Sequence, residues 1–151
     1  MTDQTVYLDS SAIVKRYLNE EGTDIVDSLF KEAENKSTVL CFSIWNIGEV
    51  IGVLDKNDRR RKIKFPKSVD NFVNELGRLD KSGSIKTVEI TLPLIFDASR
   101  ILLKYKLYMA DALQIVSCKE ANCSDFYTAD KRVHEAAVSE GLNSIYMLKS
   151  S

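Results

Sequence analysis

Thr5-Val6-Tyr7-Leu8-Asp9-Ser10-Ser11-Ala12-Ile13-Val14 reads as a strand, a turn and the start of a helix. Residues 5–8 form a short buried strand that ends on an aspartate. Ser10 or Ser11 can cap the helix after it, and Ile13, Val14, Tyr17 and Leu18 recur on one helical face. The same unit repeats in kind, though not in sequence, down the chain. Residues 38–42 make a second strand, with Ser43 placed to cap a helix from Ile44 to about Leu54. Residues 85–90 alternate apolar and polar as a third strand, 126–128 form a fourth ending near Asp130, and 144–148 a last. Helices are predicted between them at 24–33, at 67–79 after Pro66, from Thr91 and Pro93 through Leu102, at 109–121, and at 132–140 with Gly141 as the stop.

Strands separated by helix-length segments, with no hairpin signal, require crossover connections. The expectation is a three-layer α/β/α fold around a central, mostly parallel sheet of four or five strands. Residues 1–151 read as one domain, without internal repeat, low-complexity tract or linker. With 44% hydrophobic and 28% charged residues the composition is that of a globular domain, and no apolar stretch approaches the roughly 20 residues of a membrane helix. Met1-Thr2-Asp3-Gln4 lacks the basic start and apolar middle of a secretory signal, so the expected location is the cytoplasm. Three cysteines, Cys41, Cys118 and Cys123, are an odd count with no export signal, which argues for free thiols. No tight Cys-x-x-Cys pair exists and the single histidine, His134, falls in another predicted helix, so the spacing gives no zinc motif.

In open parallel sheets the functional crevice lies beyond the carboxyl ends of the strands. Asp9 and Asp130 each follow a strand there, Ser43 and Glu49 belong to the helix leaving a third, and Asp111 opens another helix. Two like charges about 5 Å apart repel by about 3 kcal/mol at an effective dielectric of about 20, so four gathered carboxylates call for a cation. Each acid also has a plainer reading. Asp9 and Asp130 can be helix caps and Asp111 a dipole-favoured first-turn acid. Glu49 resists such a reading, because it interrupts an apolar helix between Trp45 and Val53. Gly48 and Gly52, four apart on that helix, suggest close backbone packing. A net charge of −1 excludes a generally basic nucleic-acid binder, yet Arg59-Arg60-Arg61-Lys62-Ile63-Lys64 is a dense local run. It reads equally as a phosphate-contacting patch and as a solvated helix end. Tyr105 and Tyr108 are candidates for base stacking, with packing as the plainer role.

Asp9-Ser10-Ser11, a glutamate after the second strand, Met109-Ala110-Asp111-Ala112-Leu113 and Thr128-Ala129-Asp130-Lys131, in that order, resemble the signature of a PIN domain. Size and order are similar to the VapC-type toxins of toxin–antitoxin pairs. The resemblance implies a metal-dependent ribonuclease. Asp9, Glu49, Asp111 and Asp130 would bind one or two Mg²⁺ or Mn²⁺ ions, Ser10 and Thr128 would orient them with Ser43 in support, and the products would carry a 5′-phosphate and a 3′-hydroxyl. All-oxygen carboxylate sites independently select hard cations. Arg59, Arg60, Arg61 and Lys62 are the candidate RNA contacts. The resemblance further implies an antitoxin covering the acidic crevice and a homodimer. A nuclease of RNA processing or decay, or a PIN-fold binding module working through partner contacts alone, remain alternatives. A dehalogenase-like phosphatase is excluded by Ser11, where that chemistry needs a second aspartate, and a receiver domain by the lack of an acidic pair before the first strand.

Overall fold

Val6, Tyr7 and Leu8 are closed to water on both faces of the sheet, the burial that a central parallel strand demands. The computed structural model describes residues 4–149. Residues 1–3, part of the N-terminal stretch that lacks the marks of a secretory signal, lie outside the described residues, as do 150 and 151. Five strands form one wholly parallel sheet: β1 (Gln4–Leu8), β2 (Thr38–Ser43), β3 (Ile85–Val88), β4 (Asp125–Thr128) and β5 (Ser144–Tyr146). Their order is β3-β2-β1-β4-β5.

From β1 outward to β3 the chain carries α1 (Ser10–Ile13) with a 3₁₀ turn at Val14–Arg16, α2 (Thr23–Glu34), α3 (Ile44–Arg60) and α4 (Ser68–Lys81). It then crosses back to β4 and β5 through α5 (Leu92–Tyr105), α6 (Met109–Glu120) and α7 (Lys131–Ser139). The direction of winding therefore reverses between β1 and β4, and right-handed crossovers send the two helix groups to opposite faces. Contacts follow that division, α3 packing on α4 and α6 on both α5 and α7. Such a reversal opens a crevice at the carboxyl ends of the two diverging strands.

Two polar knots fasten the helices. Arg16 forks onto Glu75 at 2.7 and 3.0 Å and reaches Asp27 at 2.9 Å, joining the turn after α1 to α4 and α2. Glu140 takes Lys119 at 2.7 Å and Tyr105 at 2.6 Å, joining α6 and α5 to the end of α7.

Several local expectations change. The first helix is one α turn and one 3₁₀ turn, and its cap is Asp9 itself, which accepts from the Ala12 amide at 3.0 Å. Ser10 and Ser11 are free to turn elsewhere. The third helix runs on through the basic residues to Arg60, supported by an Asp55–Arg59 pair one turn apart at 2.9 Å. β3 stops at Val88, leaving Ile90 exposed. Gly48 and Gly52 give no close packing: among the described residues, a Cβ built at either meets no atom beyond its own helix backbone and chain neighbours within 4 Å. They lie on an outward face of α3 with Ile44, Trp45 and Val53, while Val50 and Leu54 are wholly buried. Among the described residues no helix is long and apolar enough to cross a membrane.

Because those glycines weaken a helix without enabling a contact, Gly48→Ala and Gly52→Ala should each stabilise the chain by about 0.5–1 kcal/mol. Leu54→Ala, on the buried face, should cost about 2–5 kcal/mol. Urea denaturation midpoints check both directions.

Candidate functional site

A pocket of about 250 Å³ opens at the switch point, lined by Asp9, Ser10, Ser11, Val14, Glu49, Val53, Asp111, Gln114 and Asp130. Each acid arrives there for a local reason. Asp9 follows β1 and caps α1. Glu49 sits in the second turn of α3, whose N-terminus is capped by Ser43 accepting from Trp45 N at 3.2 Å. Asp111 occupies the first turn of α6. Asp130 follows β4 and caps α7, accepting from the amides of Arg132 at 2.9 Å and Val133 at 3.2 Å.

Asp9 is 4% exposed and fully hydrogen-bonded. Its Oδ1 accepts from Ser11 Oγ at 2.6 Å and from Ala12 N, and its Oδ2 accepts from the buried Thr128 hydroxyl. Thr128 in turn accepts from Asp130 N at 3.0 Å. Ser10 Oγ donates to Glu49 Oε1, and Ser11 Oγ accepts from Ala129 N at 2.9 Å, so the two serines bind α1 to α3 and to the end of β4. Asn46, buried on α3 one turn before Glu49, donates to the Leu8 carbonyl at 3.1 Å and secures α3 beside Asp9.

The site carries uncompensated negative charge. Burial raises the Asp9 carboxyl from 3.8 to about 6 against the pull of its donors, with Asp111 adding repulsion. Burial likewise raises Asp111 to about 6, reinforced by Asp130 and Glu49 and opposed by Arg132. Arg132 is not seated among the acids; its guanidinium donates to the Lys106 carbonyl at 2.6 Å. Among the described residues no lysine or arginine pairs with any of the four. No three acidic, histidine or cysteine side chains there stand close enough to cage an ion unaided. The donor chemistry nonetheless fits a hard cation, since Mg²⁺ is ordinarily held by one or two carboxylates, with waters and substrate phosphate completing its shell.

The remaining candidates sort by position. Ser43 is buried as the cap of α3 and does not line the pocket, and Thr128 stands behind Asp9. Arg59, Arg60, Arg61 and Lys62 are exposed at the far end of α3, roughly 15 Å along the helix from Glu49. Asp125 lies at the opposite end of its strand, holding Gln4 at 2.8 Å, and Asp97 is exposed on α5. His134 is half-buried against Tyr146 and bonds Ser144 at 2.7 Å. Tyr105 is tied to Glu140, whereas Tyr108, expected to pack, is 79% exposed. The three cysteines are free thiols. Sequence reasoning missed Ser11, Asn46 and Gln114 as site residues. For Asn46 and Gln114 the available signal was a polar side chain interrupting an apolar helical run, three residues from Glu49 and from Asp111 respectively.

A parallel sheet whose switch point opens on an acidic pocket suits a nuclease that works with metal ions. The chain belongs to the PIN domain family, whose model matches residues 6–139. This is a family of nucleases whose members generally use divalent metal ions. No curated protein matches the chain. Its fold is similar to that of VapC20 of Mycobacterium tuberculosis, a toxin that cleaves the sarcin–ricin loop, at 16% identity over 91% of this chain and 95% of that one, with a TM-score of 0.65. It is also similar to PAE2754 of Pyrobaculum aerophilum (15% identity, 93% and 83% covered, TM-score 0.63). FitAcB of Neisseria gonorrhoeae matches with 15% identity, 93% and 96% coverage and a TM-score of 0.60.

Carboxyls raised to about 6 bind more protons folded than unfolded between about pH 4 and 6. Stability of the metal-free chain should therefore rise as pH falls from 7.5 to 5, by about 1–2 kcal/mol for the buried Asp9. The opposing loss begins lower. Despite burial, Arg16 draws Glu75 below its ordinary value and Lys119 helps draw Glu140 to about 2. Asp111→Asn should raise the metal-free melting temperature at pH 7.5 and reduce the gap to pH 5, as read by thermal melts at both pH values.

Proposed function

We propose that this chain is a metal-dependent ribonuclease that hydrolyses RNA phosphodiester bonds and serves as the toxin of a type II toxin–antitoxin pair. The observation that carries the reading is the single pocket lined by Asp9, Glu49, Asp111 and Asp130, with no cationic side chain paired to any of them among the described residues. Membership of a nuclease family supports it, as does a fold shared with proteins that include a toxin named for cleaving the sarcin–ricin loop.

In this reading Asp9, Glu49, Asp111 and Asp130 would share in holding one or two Mg²⁺ or Mn²⁺ ions, with waters and substrate phosphate completing each shell. A bound divalent ion supplies an activated water at neutral pH and charge stabilisation at the phosphoryl oxygens. The protein's own part is orientation. Thr128 and Ser11 fix both oxygens of Asp9, and Ser10 fixes Glu49, so neither carboxylate must be ordered when substrate arrives. Asp111 accepts no hydrogen bond among the described residues and keeps its oxygens for the ion. The depth of Asp9 excludes water from one wall and strengthens every electrostatic interaction there. Val14 and Val53 form the apolar part of the lining.

The exposed apolar side chains of α3, Val53 in the pocket lining and Trp45 two turns before it on the same helix, suit an antitoxin segment laid along α3 and across the pocket; Leu92, Phe96 and Leu103 on α5 suit a homodimer contact. Arg59, Arg60, Arg61 and Lys62 extend a strand of RNA away from the pocket along α3.

Cleavage of RNA by the wild type should require Mg²⁺ or Mn²⁺ and leave 5′-phosphate ends, and Asp9→Asn or Asp111→Asn should each reduce the rate by at least about a hundredfold with the fold intact. A protein that works by binding alone would cut nothing with either metal. Neutralising Arg59, Arg60 and Arg61 together should weaken RNA binding and flatten its dependence on salt. An unchanged salt slope would return those residues to a solvated helix end.

A further inference from the structure

Tyr7 has a hydroxyl that packing does not require. Its ring lies on the central strand with no exposure, stacked on Phe126 of β4 at a centroid distance of 5.4 Å. A phenylalanine would fill the same space and stack as well. Burying a hydroxyl is unfavourable unless its hydrogen bonds are made, and here both are. The Tyr7 oxygen accepts from the backbone amide of Ser43 at 3.0 Å and donates to Gln114 Oε1 at 2.9 Å. Gln114 Nε2 then donates to the Ala110 carbonyl at 3.0 Å, closing the chain on the first turn of α6.

The partners are what give this arrangement a use. Tyr7 stands two residues before Asp9 on β1. Ser43 is the junction of β2 with α3, the helix that carries Glu49. Gln114 comes one turn after Asp111 on α6 and itself lines the pocket. The ring adds β4, the strand leading to Asp130. One buried side chain thus touches every element that delivers an acid. Those acids repel one another and, among the described residues, no lysine or arginine is paired with any of them, so their spacing must be held from behind.

We propose that Tyr7, through its bonds to Ser43 and Gln114, is a positioning residue that sets the spacing of Asp9, Glu49 and Asp111 for binding a divalent ion. The inference rests on the nuclease reading above and deepens it. Groups that orient metal ligands without touching the ion typically change metal affinity by about 10–100-fold when removed. Gln114 and Tyr7 act through one bond, so removing either should remove the same effect.

The test uses Tyr7→Phe, Gln114→Met and the double variant in the full chain. Folding at 25 °C is followed by circular dichroism, Mn²⁺ affinity by the electron paramagnetic resonance signal of free Mn²⁺, and RNA cleavage over a range of Mn²⁺ concentrations. Each folded single variant should bind Mn²⁺ at least about tenfold more weakly, the double variant should be no worse than the weaker single, and excess Mn²⁺ should restore much of the cleavage. A residue needed only for stability would lower the melting temperature and leave Mn²⁺ affinity in the folded protein unchanged, which would overturn the proposal. Losses that multiply in the double variant would also overturn it. Should Tyr7→Phe fail to fold, Gln114→Met decides, since it leaves the hydroxyl bonded to Ser43. A wild type that neither binds Mn²⁺ nor cleaves RNA would sink the nuclease reading itself. Wild-type binding that both variants retain would sink only the role of Tyr7.

Discussion

An ionised carboxylate at the end of the central strand is the constraint around which the rest of this fold is arranged. Asp9 is almost entirely out of water, and three donors from two different elements hold it: Ser11 and Ala12 on α1, and Thr128 on β4. Those bonds join the first helix to the neighbouring strand. They do not offset the whole desolvation of the charge, and the carboxyl is pushed up to about 6. The metal-free fold therefore carries an electrostatic strain that either a proton or a cation relieves, and Asp111 shares it across the pocket.

The plain and the functional readings of these acids turn out to be one geometry. Asp9 and Asp130 are helix caps, as their positions after strands suggested, and both also form pocket walls. A strand that ends and a helix that begins necessarily meet at the carboxyl edge of a parallel sheet. A capping carboxylate sits there by default, facing the crevice. The positive ends of α6 and α7 open on the same rim and partly offset the acids, which helps the fold tolerate them without a paired lysine or arginine.

What surrounds the pocket is uneven, and the unevenness has a cause. Behind it lies a polar chain through Ser43, Tyr7 and Gln114 to the Ala110 carbonyl, and separately Asn46 holds the Leu8 carbonyl, so that buried polar groups fix backbone positions. In front of it, α3 turns the half-exposed Trp45 and Val53 outward, beside two glycines that meet nothing beyond their own helix among the described residues. An apolar helix that looks buried all round in sequence is thus buried on one side only, the other side being free to meet something else.

The alternation of strand and helix, the parallel sheet and the acids following β1 and β4 were legible in the sequence, because periodicity, capping and turn chemistry act over a few residues. The whole order of elements came from them, with errors confined to ends such as the cap of α1 and the length of α3. Topology alone pointed Asp9, Asp130 and the helix of Glu49 at one crevice, whereas Asp111 was added to them by the resemblance to a PIN domain. Only the tertiary structure decided that Tyr7 and Gln114, 107 residues apart, share a hydrogen bond, that Thr128 holds Asp9 across 119 residues, and that Gly48 and Gly52 face outward. Such contacts depend on strand order and on the rotation of each helix against the sheet, which are settled by the packing of the whole chain and leave no mark in any short stretch of it.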